Sequence, residues 1–226
     1  TVGATDDDGT PLSDTETVTI TITGSNDAPV ITGGPDTAGL TETNATLSTS
    51  GDLIIGDTDT TDVVSASIDS LVVSGTSDRG DAAAPSDAAL LAMFSINPAA
   101  ILDGTENSDT LNWTFNSGAE AFDYLATGET LILTYTVGAT DDDGTPLSDT
   151  ETVTITITGS NDAPVITGGP DSVGLTETNA ALSTSGALTI SDVDTSDVVT
   201  ATVDGLVVSG TSDRGDAAAP SDADLL

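Results

Sequence analysis

Residues 15–23 read Thr-Glu-Thr-Val-Thr-Ile-Thr-Ile-Thr, with apolar and polar side chains alternating at period two. Successive side chains of a strand point to opposite faces, so Val18, Ile20 and Ile22 predict a buried face and Thr17, Thr19, Thr21 and Thr23 a solvent face. Residues 130–137 alternate likewise, with Leu131, Leu133, Tyr135 and Val137 on one side. Further strands are predicted at residues 40–49, 53–55, 63–69, 71–74 and 110–115, separated by clusters of Gly, Asp, Ser and Asn. The exception is PSDAALLAMF at residues 85–94, where Ser86 or Asp87 can cap a short helix carrying Leu90, Leu91 and Phe94. Short strands in this number, with turn signals between them and one minor helix, predict an all-β fold built as an antiparallel β-sandwich.

The pattern is written more than once. Shifting the sequence by 135 residues lays 1–91 on 136–226 with 78 of 91 positions identical, the substitutions including Ala38/Val173, Ile54/Thr189, Ile68/Val203 and Ala89/Asp224. That period is far longer than a solenoid repeat, so each unit is expected to be a domain with its own core. Every aromatic residue lies between Phe94 and Tyr135, and the second copy does not reach that segment. The stretch GSNDAPVITGGPD reads as a linker entering a new domain. The expected organisation is therefore 1–24 as the last hairpin of one repeat, 25–160 as a complete β-sandwich and 161–226 as the first half of the next. Thr1 falls inside what reads as a strand, so the chain reads as a piece of something longer.

Charge then narrows the chemistry. Of 226 residues 38 are acidic and two are Arg, with no Lys, His or Cys, for a net charge of -36. The 36% hydrophobic content is too high for a disordered acidic tail. Such a charge repels nucleic acid and anionic lipid, so a partner for it must be cationic. Without His or Cys, the common zinc sites, thiol nucleophiles and His-based triads are excluded. Only oxygen ligands remain, and those suit calcium or magnesium. No membrane span or signal peptide is visible.

The acids are bunched: DTDTTD at 57–62, DDDG at 141–144 and the SND of each linker. Carboxylates about 4 Å apart repel by roughly 4 kcal/mol at an effective dielectric of 20, so converging groups call for a divalent ion. Calcium accepts six to eight oxygens without strict geometry, whereas magnesium demands a tight octahedron and ranks second. The simpler reading is that these are solvated turn residues, since Asp and Gly favour turns.

YTVGATDDDGTPLSDTETVTITITGSNDAP resembles the end of a cadherin-type repeat, and LNWTFNSGAEAFDYLATGETLILTYTV with GALTISDVDTSD resembles bacterial VCBS repeats more closely. The resemblance covers essentially the whole 135-residue period. It implies an Ig-like/cadherin-like sandwich in tandem and calcium at the domain junctions. Carried over, Asn26 and Asp27 would join Asp57, Asp59 and Asp62 with Asp141 or Asp143 at the top of the complete repeat. Glu42 and Glu129 would lie at its bottom, facing Asn161, Asp162, Asp192, Asp194 and Asp197. Strand direction also separates Glu42 from Asp57, because the first strand leaves the linker and the second returns. Gly24 and Gly159 stand where cadherins place the first linker Asp, and the second Asn is missing, which implies fewer ions per junction.

Three motifs remain. Arg79 and Arg214 each sit in an Arg-Gly-Asp tripeptide, an integrin-type motif whose Arg can equally pair with Asp78 or Asp81. The threonine ladder at 17–23 is similar to ice- or carbohydrate-binding faces, or is an ordinary solvent face of a strand. The sequons at Asn44 and Asn112 read as chance, because the second copy has Asn179-Ala180-Ala181. No catalytic constellation is found. The resemblance implies a calcium-rigidified extender of a large cell-surface or secreted adhesin exported by type I secretion, with adjacent repeats as partners. Host-cell, biofilm-matrix or carbohydrate ligands would be reached through other domains, without nucleic acid or membrane insertion. The alternative is a repeat that itself binds carbohydrate, ice or a receptor.

Overall fold

The computed structural model describes residues 1–211, 215–216 and 219–225. In chain order the elements are β1 (Val2–Thr5), β2 (Ser13–Glu16), β3 (Val30–Thr32), β4 (Asp36–Thr41), β5 (Ser48–Gly56), β6 (Val63–Gly75), α1 (Asp87–Ala92), β7 (Phe94–Asn97), β8 (Ala100–Asp103), β9 (Ser108–Asn116), β10 (Thr130–Thr140), β11 (Ser148–Thr158), β12 (Val165–Thr167), β13 (Thr189–Ser191) and α2 (Asp222–Leu225). Strands β3 to β11 form an Ig-like β-sandwich of two sheets, ordered β4-β11-β10-β6-β8 and β3-β5-β9-β7. Every pairing is antiparallel except β4 with β11, which runs parallel with Val153 opposite Asp36. No described helix is long and apolar enough to cross a membrane.

The period-two pattern fills the space between the sheets. Leu53, Ile55, Leu111, Trp113 and Phe115 come from one sheet, and Leu133, Tyr135, Val137, Val153, Ile155 and Ile157 from the other. Phe94 stacks on Tyr135 at 4.2 Å between ring centroids. Two of the buried polar tips are satisfied directly: the Tyr135 hydroxyl donates to the Leu90 carbonyl at 2.8 Å and Trp113 Nε1 to Asp36 Oδ2 at 2.8 Å. Trp113 has room because residue 51 lacks a side chain. A Cβ there would lie 2.6 Å from both Asp36 Oδ2 and the Trp113 ring. Gly51→Ala is therefore expected to destabilise the sandwich by about 1–3 kcal/mol in chemical denaturation. Asp52→Ala, a change already present as Ala187 in the other copy, leaves the midpoint in place.

Several element boundaries differ from the sequence reading, each for a local reason. The strand expected over 40–49 divides, because Asn44 adopts φ 52 and its N–H bonds to Glu42 Oε1 at 2.6 Å, turning the chain between β4 and β5. The two strands expected at 63–69 and 71–74 are one, β6, with a bulge at Asp69 where the register steps from Ser70 to Ile68. The bulge shifts the inward phase from Val64, Ala66 and Ile68 to Leu71 and Val73, and that phase break is what divides the pattern in the sequence. Ser86 Oγ caps α1 by accepting from Ala89 N, and Leu90 is buried. Leu91 faces solvent and Phe94 already belongs to β7. The short β7 and β8 have no counterpart in the predicted strands, nor has β3, which lies in the stretch read as a linker.

The largest difference concerns residues 15–23. Their identical copy forms the buried strand β11, yet here only β2 pairs, and Val18, Ile20 and Ile22 are 64%, 81% and 90% exposed. The alternation records a face that needs a partner, and residues 1–24 hold only half of one. Even so, β1 and β2 keep the register of β10 and β11: Val2 opposes Glu16 as Val137 opposes Glu151. Similarly, β12 and β13 keep the register of β3 and β5.

Candidate metal centre

The acidic loops gather at the two ends of the sandwich. At the end where β3 begins, Asp57, Asp62 and Asp141 each present an oxygen within 4.8 Å of the others. Asp57 and Asp141 are buried, and Asp62 half-buried. Asp57 follows β5 directly and takes Asp59 N on Oδ1 at 2.9 Å, leaving Oδ2 buried and unpartnered. Asp59 Oδ2 accepts from Asp27 N at 2.7 Å, and Asn26 Nδ2 donates to Asp141 Oδ2 at 3.1 Å. The linker is thereby tied to both loops. Burial, then the charges of Asp59, Asp57, Asp143 and Asp141, push the Asp62 carboxyl above the ordinary carboxylate range.

The three acids of DDDG divide their tasks. Asp141 points inward and also accepts from Leu147 N, closing its own loop. Asp142 Oδ1 accepts from Val63 N at 2.9 Å, capping the start of β6. Asp143 is exposed and, with Asn26, Asp59 and Asp62, lines a polar cleft of about 230 Å³. The structure therefore brings Asp141 into the group and places Asp143 at its mouth.

At the opposite end the group is Glu42, Asp123 and Asp162, again within 4.8 Å. Glu42 is fully buried, and its carboxylate takes Asn44 N at 2.6 Å, Ser160 Oγ at 2.7 Å and Ser160 N at 3.3 Å. Asp162 Oδ1 accepts from Asn44 Nδ2 at 2.8 Å, while its N–H donates to Asp194 Oδ2 at 2.8 Å. Asp123, which the sequence reading did not include, is held between the buried Phe122 and Tyr124. Burial, then Glu42 and Asp162, push its carboxyl up. An acid flanked by two aromatics in a segment supplying core side chains was the available signal. Glu129, the residue expected there, accepts from Ala126 N at 3.2 Å and lies outside the group. Burial raises the buried Asp194 carboxyl, which Asp162 N partly offsets and the charges of Asp162, Asp197 and Asp192 reinforce. Asp192 accepts from Asp194 N, Asp197 N donates to the Asp194 carbonyl, and exposed Asn161 bonds to the Asp162 carbonyl.

The two ends are related by the repeat. Shifting by 135 residues carries Asp27, Asp57, Asp59 and Asp62 onto Asp162, Asp192, Asp194 and Asp197, and the backbone bonds are the same in both. Of nine buried side-chain polar atoms without a partner among the described residues, six are acceptor oxygens at these ends. They are Asn26 Oδ1, Asp57 Oδ2, Asp62 Oδ2, Asp123 Oδ1, Asp162 Oδ2 and Asp194 Oδ1. A buried acceptor without a donor is costly, and this chain has almost no cationic side chain to offer.

Arg79 pairs with Asp87 at 2.6 Å, not with Asp78 or Asp81, and its guanidinium lies beside Tyr124. Burial pushes the Tyr124 hydroxyl up and Arg79 draws it part of the way back. The tripeptide's cation is thus held against the sandwich. Arg214 lies outside the described residues. In the complete repeat the threonine ladder is the outer face of β11, where Thr154 aligns with Thr134 and Thr37 across neighbouring strands. Asn44, of the first sequon, spends its amide on Asp162.

No protein-family model matches the sequence, and no curated protein matches it. Among solved structures, the chain is similar to an ASH/PapD-like domain of human CEP192, at 16% identity and TM-score 0.35 over 66% of this chain and 96% of that one. The CooA pilin subunit of enterotoxigenic Escherichia coli matches at 9% identity and TM-score 0.39, over 59% and 99%. AggA, the major subunit of aggregative adherence fimbriae type I of Escherichia coli, matches at 16% and 0.31, over 61% and 97%.

Proposed function

We propose that this chain is a calcium-binding structural module, a tandem extender of the VCBS or cadherin-like kind in a large secreted or cell-surface adhesin. The observation that carries the reading is the set of six buried, unpartnered acceptor oxygens divided between the two ends of one sandwich. Hard oxygen donors, several of them carboxylates, suit calcium. Asp57, Asp62 and Asp141 would hold an ion from one side of a junction, and Glu42, Asp123 and Asp162 from the other. Because the repeat superposes Asp27 on Asp162, one full junction would combine both groups around the linker.

The role of the ion on this reading is mechanical. It offsets repulsion among converging carboxylates and, by binding groups from both repeats, removes the freedom of the linker between them. The aromatic side chains are buried in the core, which leaves no sugar-stacking platform and favours a spacer over a carbohydrate reader.

Calorimetric titration tests it. Calcium is expected to bind the chain more tightly than magnesium, and scattering in calcium is expected to give a narrower range of molecular dimensions than in chelator. No calcium binding at millimolar concentration, or identical scattering in both conditions, would sink the proposal.

A further inference from the structure

The turn between β4 and β5 and the loop between β9 and β10 share a feature seen nowhere else among the described residues. Asn44 at φ 52 and Phe122 at φ 68 are the non-glycine residues in the left-handed region. For a bulky side chain that conformation is an outlier, and it persists only where the surroundings fix it. Phe122 is fully buried and immediately precedes Asp123, while Asn44 stands two residues after the fully buried Glu42. Both therefore set the course of backbone that carries acids of one group, Glu42, Asp123 and Asp162.

Asn44 makes two bonds that reach different segments. Its backbone N–H donates to Glu42 Oε1 at 2.6 Å, and its side-chain Nδ2 donates to Asp162 Oδ1 at 2.8 Å. Glu42 belongs to the sandwich and Asp162 to the linker, so one residue ties the two together. Ser160 holds the other Glu42 oxygen through its hydroxyl at 2.7 Å. All these donors are neutral, so they fix where the carboxylates stand without cancelling their charge. The oxygens left without a donor are Asp162 Oδ2 and Asp123 Oδ1, both buried. Asn44 itself is exposed, so its side chain is not part of the core.

We propose that Asn44 is the positioning residue of this end, holding Asp162 of the linker beside Glu42 at a spacing that favours calcium over magnesium. The inference rests on the calcium reading above and adds the source of its selectivity. Calcium takes oxygens at about 2.3–2.6 Å in flexible geometry, whereas magnesium requires about 2.0–2.1 Å in a strict octahedron. The smaller ion would need each carboxylate to move inward by roughly 0.2–0.6 Å. Asp162 makes that move only by stretching its bond to Asn44 Nδ2, and Glu42 only by stretching its bonds to Asn44 N and Ser160. The loss falls on magnesium and spares calcium. Asn44 acts through the two acids and is not itself assigned as a ligand.

Asn44→Gly is the direct test. Glycine keeps the left-handed turn and the N–H that Glu42 accepts, and removes the amide that holds Asp162. Calcium titration of the 226-residue chain, repeated with magnesium as competitor, is expected to show calcium affinity lowered about tenfold at one class of site, with magnesium affinity there unchanged. The affected class is expected to be the one that Glu42→Gln weakens. The Trp113 unfolding midpoint in chelator is expected to move by no more than a few degrees, because Asn44 is exposed. Thr46→Ala is the control for the turn, since its hydroxyl donates to the Gly118 carbonyl and touches no acid of the group. It is expected to leave the calcium-to-magnesium ratio at the parent value, whatever it does to the midpoint. An unchanged ratio in Asn44→Gly, an equal loss for both ions, or the same change of ratio in Thr46→Ala overturns this inference while the calcium reading stands. A parent chain that binds no calcium overturns both together.

Discussion

Calcium at about a hundredfold excess over its dissociation constant is expected to raise the unfolding midpoint of the complete sandwich by on the order of 10 °C, from roughly 2.7 kcal/mol of linkage and a few degrees per kcal/mol. The single Trp113 is buried in the core of that sandwich, so its fluorescence reports this unfolding and not the looser part-repeats. Acid provides the complementary arm. Asp62, Asp123 and Asp194 have carboxyls raised by burial and by neighbouring charges, so their ionisation disfavours the folded state. Their stabilising contribution is full below the unfolded carboxylate value of 3.8 and is lost as pH rises through the raised folded values. In chelator the midpoint should therefore climb as pH falls through that window. In calcium the order reverses, because protons compete with the ion. A midpoint indifferent to calcium at neutral pH would end the structural role proposed for it.

Glu42→Gln separates the two ends. The substitution removes a buried charge facing Asp123 and Asp162 but keeps one oxygen for Asn44 N, at the expense of an acceptor for Ser160. These effects oppose each other, so the midpoint in chelator should move by no more than about 1 kcal/mol. In calcium the loss is larger. One carboxylate ligand disappears, and affinity at this end should fall roughly tenfold or more, since ligand charge sets affinity in such sites. Binding at Asp57, Asp62 and Asp141 should persist, leaving one class of site in the titration where the parent shows two. Glu129→Gln is the control, because Glu129 bonds to Ala126 N outside the group. If Glu129→Gln removes the site and Glu42→Gln does not, the ligand assignment is wrong.

The sandwich was legible wherever one strand carried an unbroken period-two pattern, as β10, β9 and β11 do. It was illegible where tertiary context sets the chain's direction. The bulge at Asp69 made one strand read as two, and Asn44 in the left-handed region divided a stretch that composition read as continuous. The acids at Glu42, Asp57, Asp62 and Asp141 stand at ends of strands, and strand direction alone sorts them into two groups. Asp123 escaped because it sits in a loop whose course is set by burial of Phe122 and Tyr124, a long-range constraint without a local motif. Residues 15–23 teach the converse. A sequence can encode a strand and still leave it exposed where its neighbours in the sheet are missing.

The ion pair between Arg79 and Asp87 has a consequence for durability. Trypsin-like proteases engage a basic side chain in an acidic specificity pocket before cutting. In residues 1–211 the chain offers them one such side chain, and it is clasped by the first turn of α1 beside a buried tyrosine. Cutting there requires the loop to open first, at a site where the surrounding acids already repel an acidic pocket. For a spacer proposed to stand outside a cell, a surface without lysine is a form of armour as well as a home for cations.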